Sequence, residues 1–323
     1  TAMGGAQYVH TFGKCLFMPS DLTAGLEYNR DRLKDNMWGY DRHTDQTVNI
    51  YSAFLQNEWK NDRWGILIGG RLDKHNMVDN VIFSPRANLR FNPTRNINLR
   101  LSYSSGFRAP QAFDEDMHIE NVGGTVAMIE RAKDLKEEKS QSFSASADMY
   151  HRFGAFQTNL LIEGFYTRLT DVFVLGEPYD RGDGILVKTR SNGSGAKVMG
   201  LTLEGKVAYL SILQIQAGLT LQRSRYDEPH KWHDDAPAEK KIFRTPDTYG
   251  YFTATYTPVK PLSIALSGTY TGKMLVQRMD ITAENAKLGE MPERKAEAIR
   301  TPRFFDLGVK LAYDFKLYKT VDL

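Results

Sequence analysis

From Ile97 to Ser104 the chain alternates without a break: Ile97, Leu99, Leu101 and Tyr103 interleave with Asn98, Arg100, Ser102 and Ser104. A period of two is that of a β-strand with one apolar and one polar face. Burying the arginine and asparagine in a dry core costs on the order of several kcal/mol. Each aliphatic side chain removed from water contributes about 1.5–3 kcal/mol in the other direction. Such a strand therefore has to stand at a boundary between two media. It stops at Gly106, and Phe107-Arg108-Ala109-Pro110 leads into a long polar segment.

The same pattern recurs along the chain. A short strand, Gln7 to Phe12, is followed by apolar rows on Leu22 to Tyr28, Tyr51 to Trp59, Trp64 to Leu72 and Ile82 to Phe91. Beyond the central strand come Ser140 to Tyr150, Phe156 to Tyr166, Leu201 to Tyr209, Leu213 to Leu221, Phe252 to Tyr256, Leu262 to Tyr270 and Phe305 to Tyr313. Connections alternate in length. Lys14–Ser20, Lys60–Arg63, Asn92–Arg95, His151–Gly154, Tyr209–Ile212 and Thr257–Pro261 are tight. Asn29–Gln46, Gln111–Glu137, Asp171–Val198, Asp227–Pro246 and Lys273–Pro302 read as long polar loops, and Lys74–Asn80 as a modest one. A small hairpin arm is expected at Ile185 to Thr189. Strands of ~11 residues at ~3.3 Å each, tilted near 40°, rise roughly 27 Å, about the thickness of a bilayer core. Trp59, Trp64, Phe91, Phe153, Phe156, Tyr209, Tyr256 and Phe315 sit beside the tight turns, and Tyr103, Tyr166, Tyr226 and Tyr270 toward the long loops. Two aromatic belts suit two membrane interfaces.

Composition closes other routes. No stretch approaches the ~20 consecutive apolar residues of a spanning helix. The 42 basic and 39 acidic residues nearly balance, and no long block of one sign points to nucleic acid. The single cysteine, Cys15, excludes an internal disulfide and a multi-thiolate metal site. Thr1 opens close to a strand without a basic and apolar leader, and about thirteen strands are countable where single-chain bacterial barrels normally have an even number. Both facts lead to the expectation that the chain is part of a longer protein.

Several words resemble those of TonB-dependent outer-membrane receptors. Gly106-Phe107-Arg108-Ala109-Pro110 resembles the "FRAP" signature, Asn57-Glu58-Trp59-Lys60 the "Q-x-E-W" strand end, and Gly70-Arg71-Leu72-Asp73 the "G-x-R-x-D" word. Ser84-Pro85-Arg86 is similar to the "S-P-R" strand. Leu135-Lys136-Glu137-Glu138-Lys139-Ser140 resembles "N-L-x-P-E-x-S", departing from it at Lys136 and Glu137. Phe113 to Ile119 is like the Bacteroidetes version. The resemblance covers nearly all of residues 1–323 as one barrel domain, and it implies an all-β, antiparallel transmembrane barrel. This chain would be about 13 strands of a 22-stranded one, without its plug. It further implies a bacterial outer-membrane location, a bilayer and a scarce small molecule as partners, and coupling to TonB-ExbB-ExbD through an N-terminal region that this sequence does not contain. The cargo would be a ferric siderophore, haem or cobalamin, with no intrinsic cofactor.

Candidate ligand contacts follow. Arg108 stands where the strand leaves the membrane, as an organiser of the loop through bidentate hydrogen bonds or as a ligand contact. His118 lies where haem receptors of this family carry a histidine, and neutral imidazole ligates haem iron. His230, His233, Asp234 and Asp235 cluster in one loop, and imidazole with carboxylate suits a transition metal. Met274 and Met279 could touch an apolar ligand or pack the loop. No nucleophile with its base and no catalytic carboxylate pair is visible, so the chain is read as a non-enzyme. The alternative is a soluble β-rich ligand-binding module whose apolar rows pack into a core.

Overall fold

The computed structural model describes residues 1–40, 42–111, 120–122, 125–177, 179–182, 186–232, 236–281, 294–318 and 321–322. Every alternating stretch becomes a strand: β1 Ala2–Cys15, β2 Met18–Met37, β3 Arg42–Lys60, β4 Trp64–His75, β5 Ile82–Thr94 and β6 Ile97–Arg108. There follow β7 Glu138–Phe153, β8 Phe156–Thr170, β9 Ala196–Tyr209, β10 Leu213–His230, β11 Thr248–Val259, β12 Leu262–Thr271 and β13 Phe304–Tyr313. These thirteen lie side by side in chain order. Each is antiparallel to the next, as a meander of hairpins requires. A further strand, Glu239–Lys241, pairs with β10. Among the described residues β1 and β13 are the two edges, so the sheet is open.

Register keeps like with like. Leu101 lies opposite Leu89 and Ala145, Leu203 opposite Ile162 and Leu219, and Leu266 opposite Ala254 and Val309. A slip of one residue would turn every such row over. The burial is inverted relative to a water-soluble sheet. Val309 is 72% exposed, Leu26 65% and Leu101 55%, while Ser52, Asp73 and Thr220 are 6%, 3% and 6% exposed. The apolar rows are thus uncovered rather than pressed between two layers.

The tight turns form one rim and carry aromatic contacts. Trp64 stacks on Phe91 with centroids 4.2 Å apart, Phe17 on Trp59 at 5.7 Å, and Phe156 lies between Phe153 and Tyr209 at 5.6 and 4.8 Å. Gly154, at φ +59°, takes the left-handed position in the β7–β8 turn. Leu16 and Leu210 hold that conformation in two other turns, where a side chain costs about 1–2 kcal/mol.

The other rim corrects the reading of Asn29–Gln46 and Lys273–Pro302 as loops. The segment Asn29–Gln46 continues the β2–β3 ladder as far as Met37 opposite Arg42. Arg32 clasps Asp45 there through Nε and Nη2 at 3.1 and 2.7 Å. Residues on both faces of this hairpin are largely exposed, so pairing persists while alternation disappears. The small hairpin arm expected at Ile185 to Thr189 is present as the strand Leu186–Asn192, paired antiparallel with Tyr179–Asp180, and it belongs to a separate five-stranded sheet. It pairs in parallel with Thr125–Arg131 from the loop after β6 and antiparallel with Phe173–Leu175. Lys273–Pro302 contains a hairpin, Leu275–Ile281 with Arg294–Arg300.

Candidate functional site

Two polar constructions stand out, one on the hydrophilic face of the sheet and one where the long connections meet. On the face, Arg71 of β4 is the hub. Its Nε donates to Asp73 Oδ1 at 2.8 Å, Nη1 to Glu27 Oε2 at 2.6 Å and Nη2 to Ser52 Oγ at 2.7 Å. Ser52 also donates to Asp73 at 2.6 Å. Arg71 and Asp73 share a face because they are two residues apart in a strand, and register brings Ser52 opposite Asp73. The guanidinium fork suits several oxygen acceptors at once, which a lysine would not match. Beside this cluster lies a cavity of about 490 Å³ lined by Gln56, Ser84, Arg86, Ser104 and Phe54. Farther round the face, Glu204 accepts from Tyr251 and from Gln216 Nε2, the latter at 3.1 Å.

The second construction begins at the end of the central strand. Ala109 packs with Val78 and Ile82, and Phe107 lies against them. Beside this apolar nook His75 is fully buried. Met77 N donates to His75 Nδ1 at 3.0 Å, so Nε2 carries the ring proton and donates to Gln111 Oε1 at 3.2 Å. Burial pushes the imidazole below its ordinary value; the contact to Gln111 and the negative charge of Asp73 pull the other way. Arg131 then links three segments, its Nη1 reaching Gln46 Oε1 at 3.0 Å and the Pro110 carbonyl at 2.9 Å. Asn192 grips the Lys136 and Asp171 carbonyls at 3.1 and 2.8 Å and accepts from Lys136 N at 2.8 Å. Glu138 Oε2 accepts from Phe173 N at 2.9 Å. Asp227 is held by Lys197 at 2.7 Å and Arg168 at 3.5 Å, which keep its carboxyl below the usual carboxylate range. A side chain at Gly195 would meet Asp227 and the Leu169 carbonyl at 2.7 Å, so only glycine fits this close approach.

The residues singled out from sequence are scattered over this rim. Arg108 ends β6 opposite Glu138, its guanidinium 5.5 Å from the centre of the Phe173 ring. Gly106 lies opposite Ser140, and Leu135 N donates to the Ala132 carbonyl at 3.3 Å. Met274 closes the base of the Leu275–Ile281 hairpin through its backbone, paired with Thr301. His230 ends β10, with its ring 5.7 Å from that of Tyr226. His118, His233, Asp234 and Asp235 lie outside the described residues. Sequence reasoning assigned no role to Arg71 and Asp73, although their word was noted, nor to His75, Arg131 or Asn192. The first pair carried a signal, two opposite charges on one face of a strand; the other three did not, because the side chains and carbonyls they join across segments are 21 to 85 residues away, Met77 N on His75 being the one local contact.

Comparison with known proteins gives a consistent answer. A family model described as "TonB dependent receptor-like, beta-barrel" matches residues 2–323. The siderophore receptor PirA from Acinetobacter baumannii is 15% identical with a TM-score of 0.68, covering 98% of this chain and 48% of that one. A variant of the ferric enterobactin receptor PfeA from Pseudomonas aeruginosa, in complex with enterobactin, is 16% identical at a TM-score of 0.68, covering 99% and 47%. The FrpB iron transporter from Neisseria meningitidis is 15% identical at 0.63, covering 97% and 48%. At these identities the likeness is one of fold, and the chain spans about half the length of these proteins. No curated protein sequence matches it.

Proposed function

Because the chain belongs to the TonB-dependent receptor-like β-barrel family, we propose that it forms wall and loops of a bacterial outer-membrane receptor. That receptor would capture a scarce small molecule and import it with energy from the TonB-ExbB-ExbD complex. One observation carries the reading: leucines and valines stand uncovered on one face of a single sheet while serine, threonine and aspartate are buried on the other. Lipid is the medium that arrangement suits, since the strands between the two edges pair on both sides and the exposed surface is apolar. The soluble-module alternative needs a second layer over the leucines, and the main sheet has them exposed.

An iron chelate is the cargo class we favour, because solved structures of this shape include siderophore receptors and an iron transporter. The linked loops after β6 and β8 supply the capturing surface, and haem is the competing cargo through His118. The location is tested by extraction: the protein is expected to leave outer membranes only with detergent and to migrate differently on gels before and after boiling. A monodisperse monomer in detergent-free buffer would overturn it. A Soret shift on adding haem that His118→Ala abolishes would move the cargo from siderophore to haem.

A further inference from the structure

The apolar face of the sheet ends, at the long-connection rim, in a row of cations. Arg168 of β8 lies opposite Lys197 of β9, Lys197 opposite Arg225 of β10, and Arg225 opposite Lys241 of the added strand. Arg223 stands one step lower, opposite Met199. The row is in phase with the uncovered apolar side chains, because Tyr166, Met199 and Leu221 lie two residues before or after Arg168, Lys197 and Arg223 on the same strands. Like charges directly opposite one another destabilise a sheet, so four abreast call for anions. The described residues supply too few. Asp227 answers Lys197 at 2.7 Å and Arg168 at 3.5 Å, and Asp247 answers Lys241 at 2.5 Å. Arg223 and Arg225 are exposed, and among the described residues neither guanidinium has a hydrogen bond or ion pair. Next to this row the apolar face is hollowed. A depression of about 1200 Å³ crosses it from Ile66 on β4 to Arg223 on β10. Gly164 helps to make it: the residue lies opposite Ala145 and Leu201, and a Cβ added there would meet nothing within 4 Å.

We propose that the row and the depression together hold a phosphorylated lipid of the leaflet at this rim, with its phosphate on Arg223 and Arg225 and an acyl chain in the hollow. The guanidinium fork matches phosphate oxygens in bidentate pairs, and cations at the edge of an apolar face attract anionic headgroups. One amphiphile satisfies both features at once, whereas a soluble anion would leave the hollow unfilled. The site faces away from the polar side of the sheet, so it is independent of the cargo. It rests on the membrane reading given above and on no particular transported molecule.

The test reconstitutes the full chain in phosphatidylcholine vesicles, doped in turn with spin-labelled phosphatidic acid and spin-labelled phosphatidylcholine. It reads the fraction of each label whose motion the protein restricts. Phosphatidic acid is expected to be preferred by about fivefold or more, the weight of one or two basic residues near an anionic headgroup. The double variant Arg223→Gln/Arg225→Gln is expected to bring the preference below about twofold, and Arg100→Gln, on the opposite face, to leave it unchanged. Heat-modifiable gel migration establishes that each variant has folded. A preference kept by the double variant, or missing from the unaltered chain, overturns the proposal. Inorganic phosphate in large excess over the lipid is expected to leave the preference intact; its loss would assign the row to a soluble anion and overturn the lipid as occupant. A chain that restricts neither label would sink the membrane reading and this site with it, whereas restriction without preference sinks this site alone.

Discussion

The two rims of the sheet are built on different principles. At the tight-turn rim neighbours in space lie in register on adjacent strands of the meander. Phe153 meets Phe156 and Trp64 meets Phe91 across single hairpins. At the long-connection rim the deciding contacts join residues far apart, such as Arg131 with Gln46 and Asn192 with Lys136. The first rim has little freedom once strand length and turn are set. The second is held by a modest number of polar contacts in water, each contributing about 0.5–1.5 kcal/mol. The sheet therefore joins a stiff wall to a crown whose arrangement can vary without disturbing that wall.

The strongest blow to this contrast would fall on the wall. Leu203→Arg, mid-strand on the apolar face, is expected to cost about 2–4 kcal/mol in refolding titrations into lipid vesicles. Gln214→Arg on the opposite face should change stability by less than about 0.5 kcal/mol. Equal costs would mean that the two faces do not meet different media.

Asp73→Ala comes next. It leaves Arg71 and Ser52 without their shared acceptor, and a loss of about 1–3 kcal/mol is expected from the same titration. Asp73→Asn, which can still accept from Ser52, should lose less. Arg131→Met sharpens the contrast itself. It should speed hydrogen exchange in Thr125–Arg131 and Leu186–Asn192 by roughly fivefold, about 1 kcal/mol of local opening, while the wall's denaturation midpoint stays put. A shifted midpoint would show the two regions to be one cooperative unit.

The smallest effect concerns acidity. His75 is folded with its proton affinity lowered by burial, so between that lowered value and about 6.5 the unfolded chain binds the extra proton. Stability from this residue is full above about pH 6.5 and declines as pH falls below it. The protection factor of the Met77 amide, which donates to Nδ1, should fall from pH 7 to pH 5 once the intrinsic exchange rate at each pH is divided out, and His75→Gln should abolish that fall. A pH-independent protection factor in the unaltered protein would remove the histidine from the account.

Much of the wall was legible beforehand for a simple reason. Alternation records which medium each residue meets, and Leu99, Leu101 and Tyr103 keep the expected face through register with Ala147, Ala145 and Phe143. The crown was not, because water on both sides erases the alternation: Asn29–Gln46 looked like a loop and is a ladder. The words around Arg108 and Glu138 were visible as words only. Their physical content, an apolar nook under Ala109 and a carboxylate capping Phe173 N, depends on segments from other connections.

By itself the order of residues determined strand number, spacing and sidedness, since each is a local property of a chain crossing between two media. Tertiary structure alone decided which connections join and that Leu186–Asn192 runs parallel to Thr125–Arg131. Those outcomes depend on closing long loops, and no local pattern encodes the partner at the far end.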